Sequence, residues 1–186
     1  MRKYKCLSRE KYVYKNVYLQ SIQKDEIEKI RLWRNSQMDI LRQVSKINRK
    51  QQLEYFENNV WPQNKKIKPD KILFTIKNNE NFLGYGGLTN ISWSHKRAEV
   101  SFLLGDQIVK SNKLYKKYFS EFLNLIILIA FKELKFKKLY TETYPGRRLH
   151  VSILKQNGFK LEGILKSHIY QSNKFSDSYL HGLIRK

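Results

Sequence analysis

Cysteine is almost missing from this sequence, which contains Cys6 and no other thiol. A single cysteine excludes an internal disulfide framework and a zinc site built from thiolates, and it suits a reducing cytoplasm. Histidines are few and dispersed without the spacing that metal ligands usually have: His95, His150, His168 and His181. We therefore expect no bound metal ion.

Long apolar runs are missing as well. The most apolar stretch, FLNLIILIAF, is too short to cross a bilayer and predicts a buried helix. The first residues, MRKYKCLSREKYVY, lack the apolar segment of a signal peptide. We expect a single domain over residues 1–186, located in the cytoplasm and without a membrane span.

Acidic residues are scarce compared with basic ones. The chain has 16 Asp and Glu against 37 Lys and Arg, which gives a formal net charge of +21. The basic residues are scattered along the chain rather than concentrated in blocks. This surplus is compatible with a lysine-rich solvated surface, with a nucleic-acid or ribosome footprint, or with a phosphate-bearing substrate.

Glycine is missing from the segment QIVKSNKLYKKY, which joins the alternating strand AEVSFLLGD to an apolar helix expected from Leu114 to Leu134. The first amides of a helix lack intrahelical acceptors and attract phosphate groups. Four lysines add positive charge there: Lys110, Lys113, Lys116 and Lys117. The segment therefore predicts an anion site, but without the glycine that lets a backbone approach a phosphate closely.

The remaining pattern predicts one mixed α/β domain. Apolar spacing changes from helical in the first third to alternating from Lys71 onwards. The expected helices cover Asp25 to Asn35, Ile47 to Val60, Leu114 to Leu134 and Arg147 to Gln156. The expected strands are Tyr12 to Leu19, a meander of KILFTI, NFLGYGGLTNISW and AEVSFLL, the short KLYTETY, and a closing hairpin of Phe159 to Tyr170 with Ser176 to Ile184.

This order of elements resembles the GNAT N-acetyltransferase superfamily over nearly the whole chain. The resemblance is carried by GYGGLTNISWSHKRAEVSFLLGD, FKELKFKKLYTETY and ILKQNGFKLEGILKSHIY, with IRLWRN matching the first helix and NGFKLEG the family's GF-x-x-EG turn. The most similar branch holds acetyltransferases of ribosomal-protein N-termini, polyamines and sugar amines. The resemblance implies a mostly antiparallel twisted sheet flanked by helices, with two central strands splayed apart.

The resemblance also implies a reaction and its co-substrate. Acetyl-CoA donates an acetyl group to a neutral amine, and backbone amides stabilise the developing oxyanion. The matching amide positions are Ser101, Phe102, Leu103 and Leu104. Glu99 is the candidate general base, because several relatives project a glutamate from this strand towards the amine; alternatively, its carboxylate binds the amine or pairs with a lysine.

Two departures from the family pattern fall on the acetyl-CoA side. First, Lys113 and Tyr115 stand where the family's loop has glycines. Second, the helix after the fifth strand carries Arg147, His150 and Leu154 in place of the family's usual residues. The usual leaving-group acid is therefore absent. His150 is the candidate replacement acid, or else a surface histidine. We expect cationic side chains to bind the phosphates of CoA in place of the glycine amides. The alternatives are that the acyl donor is different, that catalysis has been lost, or that these cations are only solvated surface residues. The residues expected to bind the co-substrate are Lys110, Lys113, Leu114, Tyr115, Lys116, Arg147 and Arg148.

The acceptor is expected between the first helical region and the central strands. Its candidate residues are Trp33, Arg34, Asn35, Arg42, Tyr85 and Glu142, although Trp33 could simply be a core residue. Cations here suit a diphosphate, which favours an amino sugar on a nucleotide diphosphate, as in surface-polysaccharide synthesis. The alternatives are a protein N-terminus, for example on the ribosome, and a non-catalytic module that binds nucleic acid or a protein partner. The sequence is also compatible with a homodimer.

Overall fold

The first strand predicted from the sequence is in fact a hairpin. In the computed structural model, which describes residues 3–79, 81–171 and 173–186, β1 spans Lys11–Tyr14 and β2 spans Val17–Ser21, paired antiparallel. The chain reverses at Lys15, whose φ of 53° lies in the left-handed region. The expected strand from Tyr12 to Leu19 was wrong because alternation continues through the turn.

Two helical segments follow the hairpin. Helix α1 covers Ile27–Ser36 and buries Ile27, Ile30 and Trp33, and helix α2 covers Arg49–Tyr55. Asn48 begins α2 by accepting a 2.9 Å hydrogen bond from the amide of Gln51. The helix continues as a π-helical turn over Phe56–Val60 and a 3-10 turn over Trp61–Lys65.

The predicted antiparallel meander is present. Strands β3 (Ile72–Asn78), β4 (Asn81–Ser92) and β5 (Arg97–Leu104) pair in sequence order. They lie in an eight-stranded sheet of order β1-β2-β3-β4-β5-β6-β8-β7. Strand β6 spans Lys138–Thr143, and the closing hairpin consists of β7 (Lys160–Gln171) and β8 (Lys174–Ile184).

Strands β5 and β6 are splayed, as expected. They run parallel, and their pairing covers three positions, the last of which joins Glu99 to Tyr140. The other neighbouring strands described in the sheet pair antiparallel. Beyond Glu99, the edge of β5 that faces β6 leaves main-chain groups available to a ligand.

Three helices lie between β5 and the closing hairpin: α3 (Asp106–Val109), α4 (Asn112–Leu128, followed by a π-helical turn over Ile129–Glu133) and α5 (Arg148–Gln156). Phe119, Phe122 and Ile126 place the apolar face of α4 in the main core. The segment expected to be a glycine-free loop is therefore largely helical. Lys113 and Tyr115 lie inside α4, because Ser111 caps this helix ahead of the predicted start at Leu114.

Within the described residues, no helix is long and apolar enough to cross a membrane. Among the same described residues, no group of three or more His, Cys, Asp or Glu side chains could hold a metal ion.

Candidate active site

A cleft of about 500 Å³ lies where β5 and β6 diverge. One end is lined by charged side chains, among them Arg42, Glu99 and Glu142. The other end reaches Phe119 on α4 and His150 on α5. The cleft therefore connects the base of the splayed strands with the gap between α4 and α5.

Two carboxylates from neighbouring strands meet at the charged end. Glu99 on β5 and Glu142 on β6 have side chains only 9% and 8% exposed, and both bind the guanidinium of Arg42. Arg42 contacts Glu99 with both terminal nitrogens, at 2.8 and 3.3 Å, and also donates to Glu142. Asn90 holds the second oxygen of Glu99 through a 2.6 Å hydrogen bond. The two carboxylates are thus close together and oriented, and Arg42 supplies one positive charge to the pair.

The ionisation of Glu142 follows from these contacts. Burial by itself raises the pKa of this carboxyl, but the Ser178 hydroxyl and the Arg42 guanidinium outweigh burial and lower the pKa below its usual value. Glu142 is therefore negatively charged near neutral pH. His168 lies 3.7 Å from the same carboxylate on the solvent side.

Arg42 is carried by the segment 37–48 between α1 and α2, which we call the strap. Asn35 ties the strap to α1, because its amide nitrogen donates to the carbonyl of Ile47 (2.8 Å) and its oxygen accepts from the Ile47 amide (2.9 Å). Gln43 also donates to the Asn35 oxygen, at 2.8 Å. At the other end, Gln37 donates to the Leu104 carbonyl at 2.9 Å. The strap is thereby fixed across the mouth of the cleft.

Aromatic rings form the inner end of the cleft. The ring of Phe119 stacks between Phe102 and His150, with centroid distances of 4.2 and 4.3 Å. The Tyr115 hydroxyl accepts a 2.8 Å hydrogen bond from Arg147 and lies 2.8 Å from Nδ1 of His150. Burial, followed by the charges of Arg147 and His181, lowers the pKa of His150 well below 6.5, so the imidazole is neutral near pH 7.

Because the His150 imidazole is neutral, one of its nitrogens accepts a hydrogen bond and the other carries the proton. Since the Tyr115 oxygen already accepts from Arg147, its own proton can be donated to Nδ1 of His150. His150 then carries its proton on Nε2. Arg147, Tyr115 and His150 form a continuous hydrogen-bonded chain beside the cleft.

The inner end also has features that suit an elongated ligand with phosphate groups. Beyond Glu99, the edge of β5 that faces β6 has no strand partner among the described residues and can pair with an amide-bearing chain. The 17-residue helix α4 begins nearby, because Tyr115 on its first turn touches Arg147 at the N-cap of α5. Helix N-termini and an arginine together favour a negatively charged group.

The residues expected at the acetyl-CoA end are distributed unequally. Ser101, Phe102, Arg147 and His150 line the cleft. Leu103 and Leu104 have side chains in the core, only 2% and 1% exposed. The remaining candidates do not line the cleft: Tyr115 is buried, Lys110 and Leu114 are exposed, Lys113 and Lys116 line a groove with Tyr14 and Lys15, and Arg148 lines a cavity between α5 and the closing hairpin.

The residues expected at the acceptor end are also divided. Arg34, Arg42, Glu99 and Glu142 line the cleft. Arg34 donates a 2.6 Å hydrogen bond to the buried hydroxyl of Tyr85, which lies in an adjoining chamber. Asn35 holds the strap. Trp33 is 7% exposed in a second core cluster, where its ring packs 4.7 Å from that of Phe82. Trp33 therefore occupies a core position.

Sequence reasoning missed several residues of this cleft. Asn90, which orients Glu99, has a φ of 46°, and an asparagine at an irregular strand position is the signal that could have identified it. Phe119 follows Tyr115 by one helical turn, so helical spacing could have placed both on one face. Tyr55 and Lys71 also line the acceptor end, and no local motif marks them.

Comparisons with known proteins identify the family and the fold of the chain. A family model described as "Acetyltransferase (GNAT) domain" matches residues 19–180. The crystal structure of spermidine N-acetyltransferase from Vibrio cholerae, in complex with CoA and spermine, has a TM-score of 0.78 at 14% identity, covering 91% of this chain and 95% of that one. A probable GNAT-family acetyltransferase from Chromobacterium violaceum has a TM-score of 0.73 at 14% identity, covering 94% and 91%. At this identity, the structures demonstrate a shared fold.

Proposed function

Because the chain belongs to the GNAT acetyltransferase family, we propose that it transfers an acetyl group from acetyl-CoA to a primary amine of an acceptor that also carries negative charge. The observation that carries this proposal is the meeting of Glu99 and Glu142 where β5 and β6 diverge. A pair of buried carboxylates binds an ammonium, and one of them can accept its proton.

The donor is proposed to lie at the inner end of the cleft. Acetyl-CoA supplies the acetyl group as a thioester. The main chain of Ser101 and Phe102 would orient it along the open edge of β5, and the N-terminus of α4 would face its phosphates. The exposed cations Lys110 and Arg148 would contribute long-range attraction rather than defined contacts.

Proton movements are assigned to two separate groups that line the same cleft. Glu99 removes a proton from the bound ammonium, directly or through a water molecule, so that the neutral amine can attack. As the new C–N bond forms, the C–S bond breaks and the sulfur needs a proton. His150 would supply this proton from Nε2 while its Nδ1 atom takes the proton of Tyr115. Arg147 would then stabilise the tyrosine oxygen.

The charge of the whole chain favours an acceptor with anionic groups. At a net charge of +21, the protein repels a polycation such as spermidine and attracts phosphates. Arg34 and Lys71 line the same cleft as the carboxylates. The adjoining chamber of about 410 Å³, lined by Tyr55, Phe56 and Tyr85, offers room for an uncharged portion of the acceptor. An amino sugar linked to a nucleotide diphosphate combines these properties.

A panel of amines tests this function. Release of free thiol from acetyl-CoA, with mass analysis of the product, would be measured for a nucleotide-linked amino sugar, the free amino sugar, spermidine and a peptide with a free N-terminus. We expect the highest kcat/KM for the nucleotide-linked sugar. A clear preference for spermidine would overturn the anionic-acceptor assignment. A preference for N-termini on intact ribosomes, assayed as a further acceptor, with a rate that falls steeply with salt, would favour the ribosomal alternative.

Lys71→Ala provides a variant for the same assay. Removal of a charged contact to phosphate should raise KM for the nucleotide-linked sugar about tenfold, since such contacts contribute about 1.5–3 kcal/mol, and leave KM for the free amino sugar unchanged. Lys68→Ala is the matched control, because Lys68 is exposed on the same loop outside the cleft.

A further inference from the structure

Arg42 occupies the position that the acceptor's ammonium needs. Its guanidinium lies between Glu99 and Glu142, the two groups proposed to receive the amine. The carboxylates are almost fully buried, whereas the Arg42 side chain is 55% exposed. Arg42 therefore reaches into the site from the solvent side, as an incoming cation would.

The geometry allows the Arg42 side chain to leave without disturbing the fold. The strap is held by residues other than Arg42, because Gln43 bonds to Asn35 and Gln37 bonds to the Leu104 carbonyl. Asn90 keeps Glu99 oriented independently of Arg42. Rotation of one exposed side chain is therefore enough to open the carboxylate pair.

Charge balance decides when this rotation is favourable. Buried carboxylates without a counter-charge are strongly destabilising, so Arg42 leaves easily only when another cation replaces it. A primary ammonium has the same charge and three hydrogen-bond donors, which suits the same two carboxylates.

We propose that Arg42 fills the acceptor-amine subsite of the free enzyme, that the acceptor's ammonium displaces it, and that the displaced guanidinium then pairs with the anionic part of the same acceptor. This inference rests on the proposed function, because it takes the amine to be acetylated beside Glu99. The exchange makes Arg42 a specificity-determining residue. An acceptor with both an amine and a phosphate provides an ammonium for the carboxylates and a phosphate for Arg42. A polyamine displaces Arg42 from the carboxylates but offers it no anionic partner.

A binding measurement tests the occupancy of the subsite without any activity. Arg42→Ala removes the atoms of an N-ethylguanidinium ion, so this ion should bind the variant in calorimetry and raise its melting temperature, with no effect on the wild type. Arg49→Ala is the matched control, since Arg49 pairs with Glu28 on the surface, where its side chain is 83% exposed. Equal responses of Arg42→Ala and Arg49→Ala, or no response of either, would overturn the proposal.

Kinetics test the exchange itself. Wild type should show a lower KM for glucosamine 6-phosphate than for glucosamine, and Arg42→Ala should reduce this preference by about 10- to 100-fold, the worth of one charge-assisted contact. The same variant should bind spermidine more tightly than wild type does. An unchanged preference, or weaker spermidine binding, would contradict the exchange.

Arg42→Lys keeps the positive charge but loses the bidentate fork, and we expect intermediate values. If Arg42→Ala does not fold, Arg42→Lys carries the test, and a preference identical to that of the wild type would count against the proposal. If no amine is acetylated by any variant, the proposed function fails, while the calorimetric result still decides whether Arg42 fills a cation subsite.

Discussion

His150 shows most clearly how one residue differs from its expected role. The sequence left open an acid or a surface histidine, and the structure buries it to 6% exposure against Phe119, with its Nδ1 atom bound to Tyr115. A buried neutral imidazole suits a relay of protons better than a permanently charged acid. Its lowered pKa also makes the stability of the fold depend on pH.

Above pH of about 6.5, His150 is neutral in both the folded and the unfolded chain. Below that pH, the unfolded chain binds a proton that folded His150 excludes, so stability is lost as the pH falls towards the lowered pKa of the folded state. The loss from this residue is at most about 1.4 kcal/mol per pH unit. Urea denaturation at pH 7.5, 6.5 and 5.5 should show a smaller decrease for His150→Phe than for wild type.

His95→Gln is the control for this series, because His95 is exposed in the turn between β4 and β5. It should keep the pH dependence of the wild type. Identical curves for His150→Phe and wild type would show that His150 titrates normally in the folded protein.

Among the elements, the short helix α3 begins at a glycine that lies against the buried ring of Trp33. Gly105 caps α3, and a Cβ atom there would lie 2.6–3.0 Å from the buried ring of Trp33. Neither partner can move easily, since Gly105 also bonds to the Leu83 carbonyl. Gly105→Ala should lower the free energy of unfolding by about 1–3 kcal/mol, as overpacking in a core usually does.

Urea denaturation provides the comparison, with Gly163→Ala as the matched control. A Cβ atom at Gly163 meets nothing within 4 Å, so this change should stay within about 0.5 kcal/mol of wild type. Equal stability of the two variants would mean that Trp33 does not require a glycine at position 105.

Elements were predictable where local patterning agrees with the final packing. The meander, β6, α5 and the closing hairpin were expected near their observed bounds, because alternation and turn residues mark them. The β1–β2 hairpin and the start of α4 were not, since a left-handed Lys15 and a cap at Ser111 depend on local bonds rather than on periodicity. Glu99 and Glu142 were anticipated through family resemblance, whereas their shared partner Arg42 is distant in the chain, and no sequence spacing reveals that contact.

At the scale of the whole molecule, charge and topology act together. The net charge of +21 attracts the phosphates of acetyl-CoA and, in the proposed function, those of the acceptor. The divergence of β5 and β6 then joins two binding regions that come from different elements, with the aromatic rings at one end and the carboxylate pair at the other. Glu99 belongs to the carboxylate pair and is the last residue of β5 that pairs with β6, so acetyl transfer at this cleft depends on its role.

The most direct test is the single-turnover rate of acetyl transfer by Glu99→Gln, measured with saturating acetyl-CoA and acceptor. Glu162→Gln is the control, because Glu162 pairs with Lys138 outside the cleft. We predict that Glu99→Gln transfers acetyl about 10²–10⁴-fold more slowly than wild type, with unchanged affinity for acetyl-CoA. A rate equal to that of wild type and Glu162→Gln would contradict the assignment of Glu99 as the base.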